Sequence, residues 1–521
     1  MILPFGQRAL LAEVASLDEV VVLHRRLAAD VPDGVIDLVP AARTVLVAFD
    51  PARISPAQVR AFIERGANAA DAADAADARV DLDIVYGGPD LVETAALLGT
   101  SPEALVAAHR EAEWTVAFTG FAPGFGYLTS PDWPFDVPRL ESPRIRVPAG
   151  AVGLAGEFSG AYPRETPGGW RLIGTTAARL FDPDAAEPAL LRPGTRVRFV
   201  ERSAAPSAPS AIGDGSVAAR GESGPGRPGE DLPALRILSP GLLATVQDLG
   251  RPGRGSLGVA PSGALDRASL RTANRLLGNP EDAAAIEVTM GGFRAVADGD
   301  LWFTVTGAWG GIRLDGRVLD PYQPHPWRSG AELELDWFAH GARAYLAVRG
   351  GIETARVLGS RATDVLAGLG PAPLSAGVSL AVGPEPLADM AALAYAPWGA
   401  PEDTVLGIEL APGPRQDWFT AAARARLFEE EWLVSNDADR VGIRLEGPEL
   451  TRLRSGELAS EGMLQGALQV PPLGRPVILG ADGPVTGGYP VIAVVAERSL
   501  DALAQARPGT RIRFRHAQTS R

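Results

Sequence analysis

Residues 167–199 read PGGWRLIGTTAARLFDPDAAEPALLRPGTRVRF, and residues 486–514 read TGGYPVIAVVAERSLDALAQARPGTRIRF. Both stretches open on Gly-Gly-aromatic: Gly168, Gly169 and Trp170 in one, Gly487, Gly488 and Tyr489 in the other. An apolar run and a polar, helix-like stretch follow. Both then close on Arg-Pro-Gly-Thr-Arg and a strand, where the last eight residues differ only by Val197 against Ile512. Such a match in order and spacing implies two related domains in one chain. Ligand sites favour domain interfaces, so the junction between the two relatives is the first place to look for function.

The chain has 521 residues, room for three or four domains of ~100–200 residues each. Its 46% hydrophobic content supplies real cores. A net charge of −14 argues against nucleic acid or an anionic membrane as partner. No apolar run approaches the ~18–20 residues that span a bilayer. The opening MILPFGQRAL lacks the basic segment of a signal peptide, so a cytoplasmic protein is expected. A homo-oligomer is compatible with this composition. There is no cysteine, which excludes thiol nucleophiles and thiolate metal sites. There is no lysine either, and all 49 basic residues are arginine. A Walker A lysine, a Schiff base and a biotinylated lysine are therefore excluded. Anions must be held by Arg, by backbone N–H groups or by a metal.

Periodicity predicts strands at 8–14, 35–39, 44–49 and 79–86, with helices over 17–29 and from Ser55-Pro56 to about Gly66. This βαββαβ order predicts a ferredoxin-like unit over residues 1–87. Helices are expected near 89–99 and 102–110, then Gly- and Pro-rich β text to 202. Residues 203–232 have almost no large apolar side chains and read as a flexible linker. Residues 233–521 are again short strands and turns, with helices near 266–277 and 416–427. The whole reads as mainly β with α+β character, in closed or sandwich-like architecture.

Four segments carry the candidate chemistry. GFAPGFGYL (120–128) offers glycine N–H groups that can face an anion, or a tight aromatic turn. Arg139 and Arg144 stand among prolines, where a guanidinium fork can grip a carboxylate or phosphate, unless each is simply a solvated strand residue. Residues 239–274 concentrate Gln247, Asp248, Arg251, Ser262 and Asp266, the last also a natural helix N-cap. Residues 460–490 bring Glu461, Gln469, Asp482 and Thr486 beside Gly487, Gly488 and Tyr489. Asp248, Glu461, Gln247 and His109 are the catalytic candidates, although His109 also reads as a helix-end histidine. Arg139, Arg144, Gly168, Gly169, Arg251, Ser262, Gln469, Thr486, Gly487, Gly488 and Tyr489 are the substrate- or anion-binding candidates. The five histidines lack metal-ligand spacing, so no metal site is expected.

GFAPGFGYL, the Pro-Arg and Val-Pro-Ala-Gly text at 138–150 and PGGWRLIG at 167–174 resemble the KipI family, also called allophanate hydrolase subunit 1 or the B subunit of 5-oxoprolinase. LSPGLLATVQDLGRPG, PSGALD, GNPEDAAAIE and TGGYP resemble the KipA family, allophanate hydrolase subunit 2 or the C subunit of 5-oxoprolinase. The resemblance spans nearly the whole chain outside the linker. It implies two cyclophilin-like β-barrel halves: a KipI-like one over 88–202 and a KipA-like, carboxyltransferase-type one over 233–521. The same pair forms the carboxyltransferase region of urea amidolyase. Where the second family often has Gln-Thr before TGGYP, this chain has Pro484 and Val485; Arg440 and Arg444 keep the family's two arginines but lose the aromatic between them. The resemblance implies fused B and C subunits of an ATP-dependent 5-oxoprolinase, opening 5-oxo-L-proline to glutamate. ATP and Mg²⁺ would be cofactors and a separate LamB/YcsF-like A subunit the partner. A biotin-dependent carboxyltransferase on a urea-like or amide substrate is the alternative, and a regulator of a histidine kinase a third.

Overall fold

A computed structural model describes residues 1–68, 78–203, 233–392, 397–402, 404–454, 456 and 458–518. The linker expected at 203–232 and the low-complexity run at 67–78 fall almost entirely outside these residues.

The repeat is a repeat of whole barrels. The first closes seven strands in the cyclic order Arg79–Tyr86, Arg171–Thr175, Ala151–Ala155, Phe158–Ala161, Gly126–Thr129, Trp114–Thr119 and Arg196–Glu201. The second closes Val405–Pro412, Val491–Val495, Ala467–Gln469, Val477–Leu479, Gly442–Glu446, Glu431–Val434 and Arg511–His516. Strand for strand, the neighbours correspond and the chain visits them in the same order. In each barrel the last strand runs parallel to the first and antiparallel to the second. Each also carries a two-stranded ribbon outside the wall: Arg144–Val147 with Thr166–Gly168, and Glu461–Gly462 with Thr486–Gly487. One expected element differs. Glu497–Ala504 is helical in the second copy, but the matching stretch of the first is not. Pro183 and Pro188 interrupt it there, and each removes a backbone donor that a helix needs.

The expected N-terminal strands and helices form, but Arg79–Tyr86 leaves their sheet and becomes a wall of the first barrel. Ile2–Phe5 takes up an edge instead, giving an antiparallel sheet ordered Ile2–Phe5, Ala9–Glu13, Thr44–Phe49, Val35–Pro40. Helices Leu17–Ala29 and Pro56–Asn68 cover one face through Leu23, Leu27, Phe62 and Ile63. Ser16 caps the first helix by accepting from Glu19 N, and Glu19 Oε2 accepts from Ala15 N at 3.0 Å, just before the cap. The other face, with Phe5, Leu11 and Leu46, packs on Met463, Val491 and Val494 of the second barrel. Burial on both sides explains why TVLVAF is apolar without alternation.

Residues 233–521 hold a second body besides their barrel. Strands between Ala234 and Val382 form a seven-stranded and a five-stranded sheet around one core, with helix Arg267–Leu276 on the outer face of the smaller sheet. A loop of this sandwich reaches between the N-terminal sheet and the first barrel. Gly255 N donates to Asp37 Oδ2 at 2.9 Å, Thr119 Oγ1 donates to Ser256 O at 2.5 Å, and Gly124 N donates to Leu257 O at 2.9 Å.

The two barrels also touch directly. Gly120, in the GFAPGFGYL loop, lies so close to Thr486 that a Cβ built on it would overlap Thr486 Oγ1. Gly120→Ala should therefore destabilise the whole chain by about 1–3 kcal/mol, an overpacking cost. Thr486→Ala removes the overlapped oxygen, so the double variant should melt above Gly120→Ala alone. A double-mutant cycle by denaturant unfolding checks this; strict additivity would refute the contact.

Candidate functional site at the junction of the barrels

The loops that precede Gly168-Gly169 and Gly487-Gly488 are equivalent in the two barrels, and they face one another across a cavity of about 130 Å³. Arg164 to Pro167 line it from the first barrel and Asp482 to Val485 from the second. Phe121 and Pro123 of the glycine-rich loop, Ala260, and Asp364 with Leu366 of the sandwich complete it. Phe121 holds φ at 64°, a left-handed conformation that a bulky side chain seldom adopts.

A buried charge network forms the back wall. Arg440 grips Asp482 bidentately, Nε to Oδ2 at 2.9 Å and Nη2 to Oδ1 at 3.0 Å. Its Nη1 donates to Glu287 Oε1 at 2.5 Å. Asp482 also accepts from Ser262 Oγ at 2.7 Å and Val365 N at 3.0 Å. Glu287 accepts from Tyr345 OH at 2.7 Å and Leu265 N at 3.1 Å. Burial works against the Arg440 charge, yet Glu287 and Asp482 hold its pKa above the ordinary arginine value. Asp482 is therefore spent on structure.

Asp364 differs. Its Oδ1 accepts from Leu366 N at 3.0 Å and Ala367 N at 2.8 Å, while Oδ2 is buried with no protein partner. Burial, then the charge of Asp482, raises its pKa to about 6 against the opposing Arg251 and Arg440. Arg164 Nη1, Thr166 Oγ1 and Arg251 Nη1 are likewise buried and unpartnered. Burial lowers the pKa of both arginines, with Asp364 opposing.

The structure gathers only some of the sequence candidates here. Ser262 and Thr486 reach the junction. Arg251 stands behind it, donating to Ala362 O and Val357 O. Asp248 is fully used as a clasp: Oδ1 accepts from Ser360 Oγ and Gly250 N, Oδ2 from Arg361 N. Gln247 donates to Thr245 Oγ1 and Thr363 O, and its Oε1 is unpartnered.

Glu461 lies elsewhere, against the N-terminal sheet. Arg415 binds its Oε1 through both Nε and Nη2 and reaches Glu13 at 3.3 Å. Burial raises the Glu461 pKa, and Oε2 has no partner. Gln469 and Gly487 adjoin it, whereas Tyr489 is exposed.

Arg144 bridges Asp90 Oδ1 at 2.5 Å and Trp170 O at 3.4 Å, so its fork is occupied by the protein itself. Gly168 packs under the Tyr162 ring, Gly169 O accepts from Leu140 N, and Arg139 lies near Tyr127 and Tyr162. His109 is sealed inside the first barrel, far from acid–base duty. Its Nδ1 bonds Tyr86 OH and its Nε2 bonds Ser159 Oγ, each at 2.8 Å, and burial drives its pKa down to about 3.

Sequence reasoning missed Asp364 and Arg164. The repeat itself held the signal for Arg164: aligning the two Gly-Gly pairs places it opposite Gly483, beside Asp482. Asp364 sits in RATDVLAGLGP, where nothing but folding marks it.

Family comparisons agree with this two-part layout. The description "Carboxyltransferase domain, subdomain C and D" matches residues 1–191, and "Carboxyltransferase domain, subdomain A and B" matches residues 257–516. The chain belongs to the carboxyltransferase-domain family. The 5-oxoprolinase C subunit of Escherichia coli K12 is 38% identical over 285 residues, 54% of this chain and 90% of that protein. The 5-oxoprolinase B subunit of Bacillus subtilis is 39% identical over 184 residues, 33% of this chain and 77% of that protein. The chain thus joins counterparts of the B and C subunits in one polypeptide. The crystal structure of TTHA0988 superposes with a TM-score of 0.83 at 35% identity, covering 99% of this chain and all of that one. Urea amidolyase of Lachancea kluyveri is 33% identical over 307 residues, 54% of this chain but only 17% of that protein. Among the described residues no helix is long and apolar enough to cross a membrane.

Arg440→Met leaves two buried carboxylates uncompensated and should cost about 3–5 kcal/mol, read by urea denaturation. Asp364 has a raised folded pKa, so the unfolded chain ionises first as pH rises. Stability is lost between about pH 4 and pH 6 and stays lower above. Asp364→Asn should thus raise the melting temperature at about pH 8 and by less at about pH 5.5. An equal gain at both would contradict the shift.

Proposed function

We propose that this chain is the combined B and C component of an ATP-dependent 5-oxoprolinase, which opens the lactam of 5-oxo-L-proline to glutamate together with a separate A subunit. One observation carries the reading: the part similar to the B subunit and the part similar to the C subunit close over a single cavity. Neither part lines it alone. A lactam is a poor electrophile and needs activation, which in this reaction comes from ATP and Mg²⁺. The cavity, about 130 Å³, is smaller than the ~300–1,000 Å³ of cofactor pockets and does not fit ATP. A groove of about 790 Å³ beside helix Leu17–Ala29 is large enough, but Asp18, Glu113 and Asp132 line it among its arginines and oppose a triphosphate. Among the described residues no group of three His, Asp or Glu side chains is placed to hold a metal. The reading therefore assigns nucleotide and metal to the A subunit. This chain's share is to receive the small substrate and exclude water with Phe121, Pro123, Pro167 and Pro484.

The urea amidolyase match supports a second reading, carboxyl transfer to a urea-like or amide acceptor, with biotin arriving on another protein because the chain has no lysine. One assay separates them. The chain mixed with an A subunit, Mg-ATP and 5-oxo-L-proline is expected to release glutamate, and neither component alone should. No glutamate from the mixture, with carboxyl transfer from a carboxybiotin carrier to urea instead, would favour the second reading.

A further inference from the structure

Three of the buried polar side-chain atoms that lack a partner belong to residues lining one small cavity: Arg164 Nη1, Thr166 Oγ1 and Asp364 Oδ2. An unpaired buried polar group costs roughly 1–3 kcal/mol, so three around one space call for a ligand that pairs them. Their chemistry differs. A guanidinium donates, a hydroxyl does both, and a carboxylate accepts. The Arg164 guanidinium is also seated over Gly368, where an added Cβ would come within 3.1 Å of Nη1. Of the rest of the lining, Phe121, Leu366 and Val485 suit a small ring, and the two other carboxylates are engaged elsewhere, Asp482 by Arg440 and Glu165 by Arg146 at 2.5 Å.

We propose that this cavity binds a small carboxylated cyclic amide. Arg164 holds its carboxylate, Asp364 Oδ2 accepts its amide N–H, and Thr166 Oγ1 donates to its carbonyl oxygen. This rests on the lactam reading and deepens it by naming what recognises the substrate. It places recognition in this chain rather than in the A subunit. It also makes the carboxylate a specificity element, since a plain lactam leaves Arg164 unpaired and an N-methyl lactam leaves Asp364 unpaired. Sites built to pair polar groups reject analogues that lack them.

Titration calorimetry on the full chain without an A subunit tests this. Saturable binding of 5-oxo-L-proline is expected. 2-Pyrrolidinone, which lacks the carboxylate, and N-methyl-5-oxoproline, which lacks the N–H, should bind at least about tenfold more weakly. Arg164→Gln should weaken 5-oxoproline by about tenfold and leave 2-pyrrolidinone unchanged, so that the preference between them disappears. Thr166→Val should weaken both lactams alike, and it serves where Arg164→Gln does not fold. No heat from the wild-type chain at millimolar ligand, or a preference that survives in Arg164→Gln, would overturn the assignment. Glutamate release with an A subunit is read separately. Release without binding by this chain alone sinks this site and leaves the function standing. Binding without release does the reverse.

Discussion

Asp482 is the carboxylate on which the arrangement turns. It accepts from Arg440 twice, from Ser262 and from Val365, so the second barrel and two loops of the sandwich converge on one buried side chain. Arg440 carries the same arrangement inward to Glu287, on the sandwich strand Ala285–Thr289. A buried ion pair seldom adds net stability over apolar packing, but it fixes geometry because misalignment exposes an unpaired charge. Here the geometry fixed is that of the loop 363–367, and with it Asp364. Arginine suits this design: Arg440 makes four hydrogen bonds at once, two to Asp482, one to Glu287 and one to Gly263 O, more than the three donors of an ammonium could supply.

Much of the fold was legible because it is local. The helix at Leu17–Ala29 announced itself through Ser16 and the spacing of Val20, Leu23 and Leu27. The strand at Arg79–Tyr86 was legible as a strand, but not its partner. Its parallel neighbour Arg196–Glu201 comes more than a hundred residues later, and no local pattern encodes that pairing. The duplication made two related domains legible and the family resemblance implied that they are barrels, whereas the sandwich was not separated from the second barrel.

The site was legible in part for the same reason. The sequence placed an interface between the two relatives because its polar groups are divided between them. It could not tell which of those groups are spent. Asp248 and Arg144 look like functional residues in sequence, yet each is consumed by neighbours that only folding supplies. His109 shows the limit most sharply: a lone histidine near a glycine-rich loop becomes, in three dimensions, a neutral bridge between Tyr86 and Ser159 inside a barrel.

The two copies of Arg-Pro-Gly-Thr-Arg show how the duplicated barrels came to differ. In the second barrel Arg507 ties the turn to the sandwich, its Nη1 donating to Phe338 O at 3.1 Å and Ala339 O at 2.9 Å, while Pro508 and Gly509 stay exposed. In the first, Arg192 to Arg196 line the open groove beside helix Leu17–Ala29. The turn and barrel strands are common to both, so the neighbours alone decide what the turn touches. The same holds for the loops before the Gly-Gly pairs. One presents Arg164 and Thr166, while its counterpart presents Asp482, already bound, followed by Gly483 and Pro484. An arginine in both loops would place two like charges around one small cavity, where they repel. Divergence of the two copies is thus what permits one cavity to combine a donor from the first half with an acceptor positioned by the second.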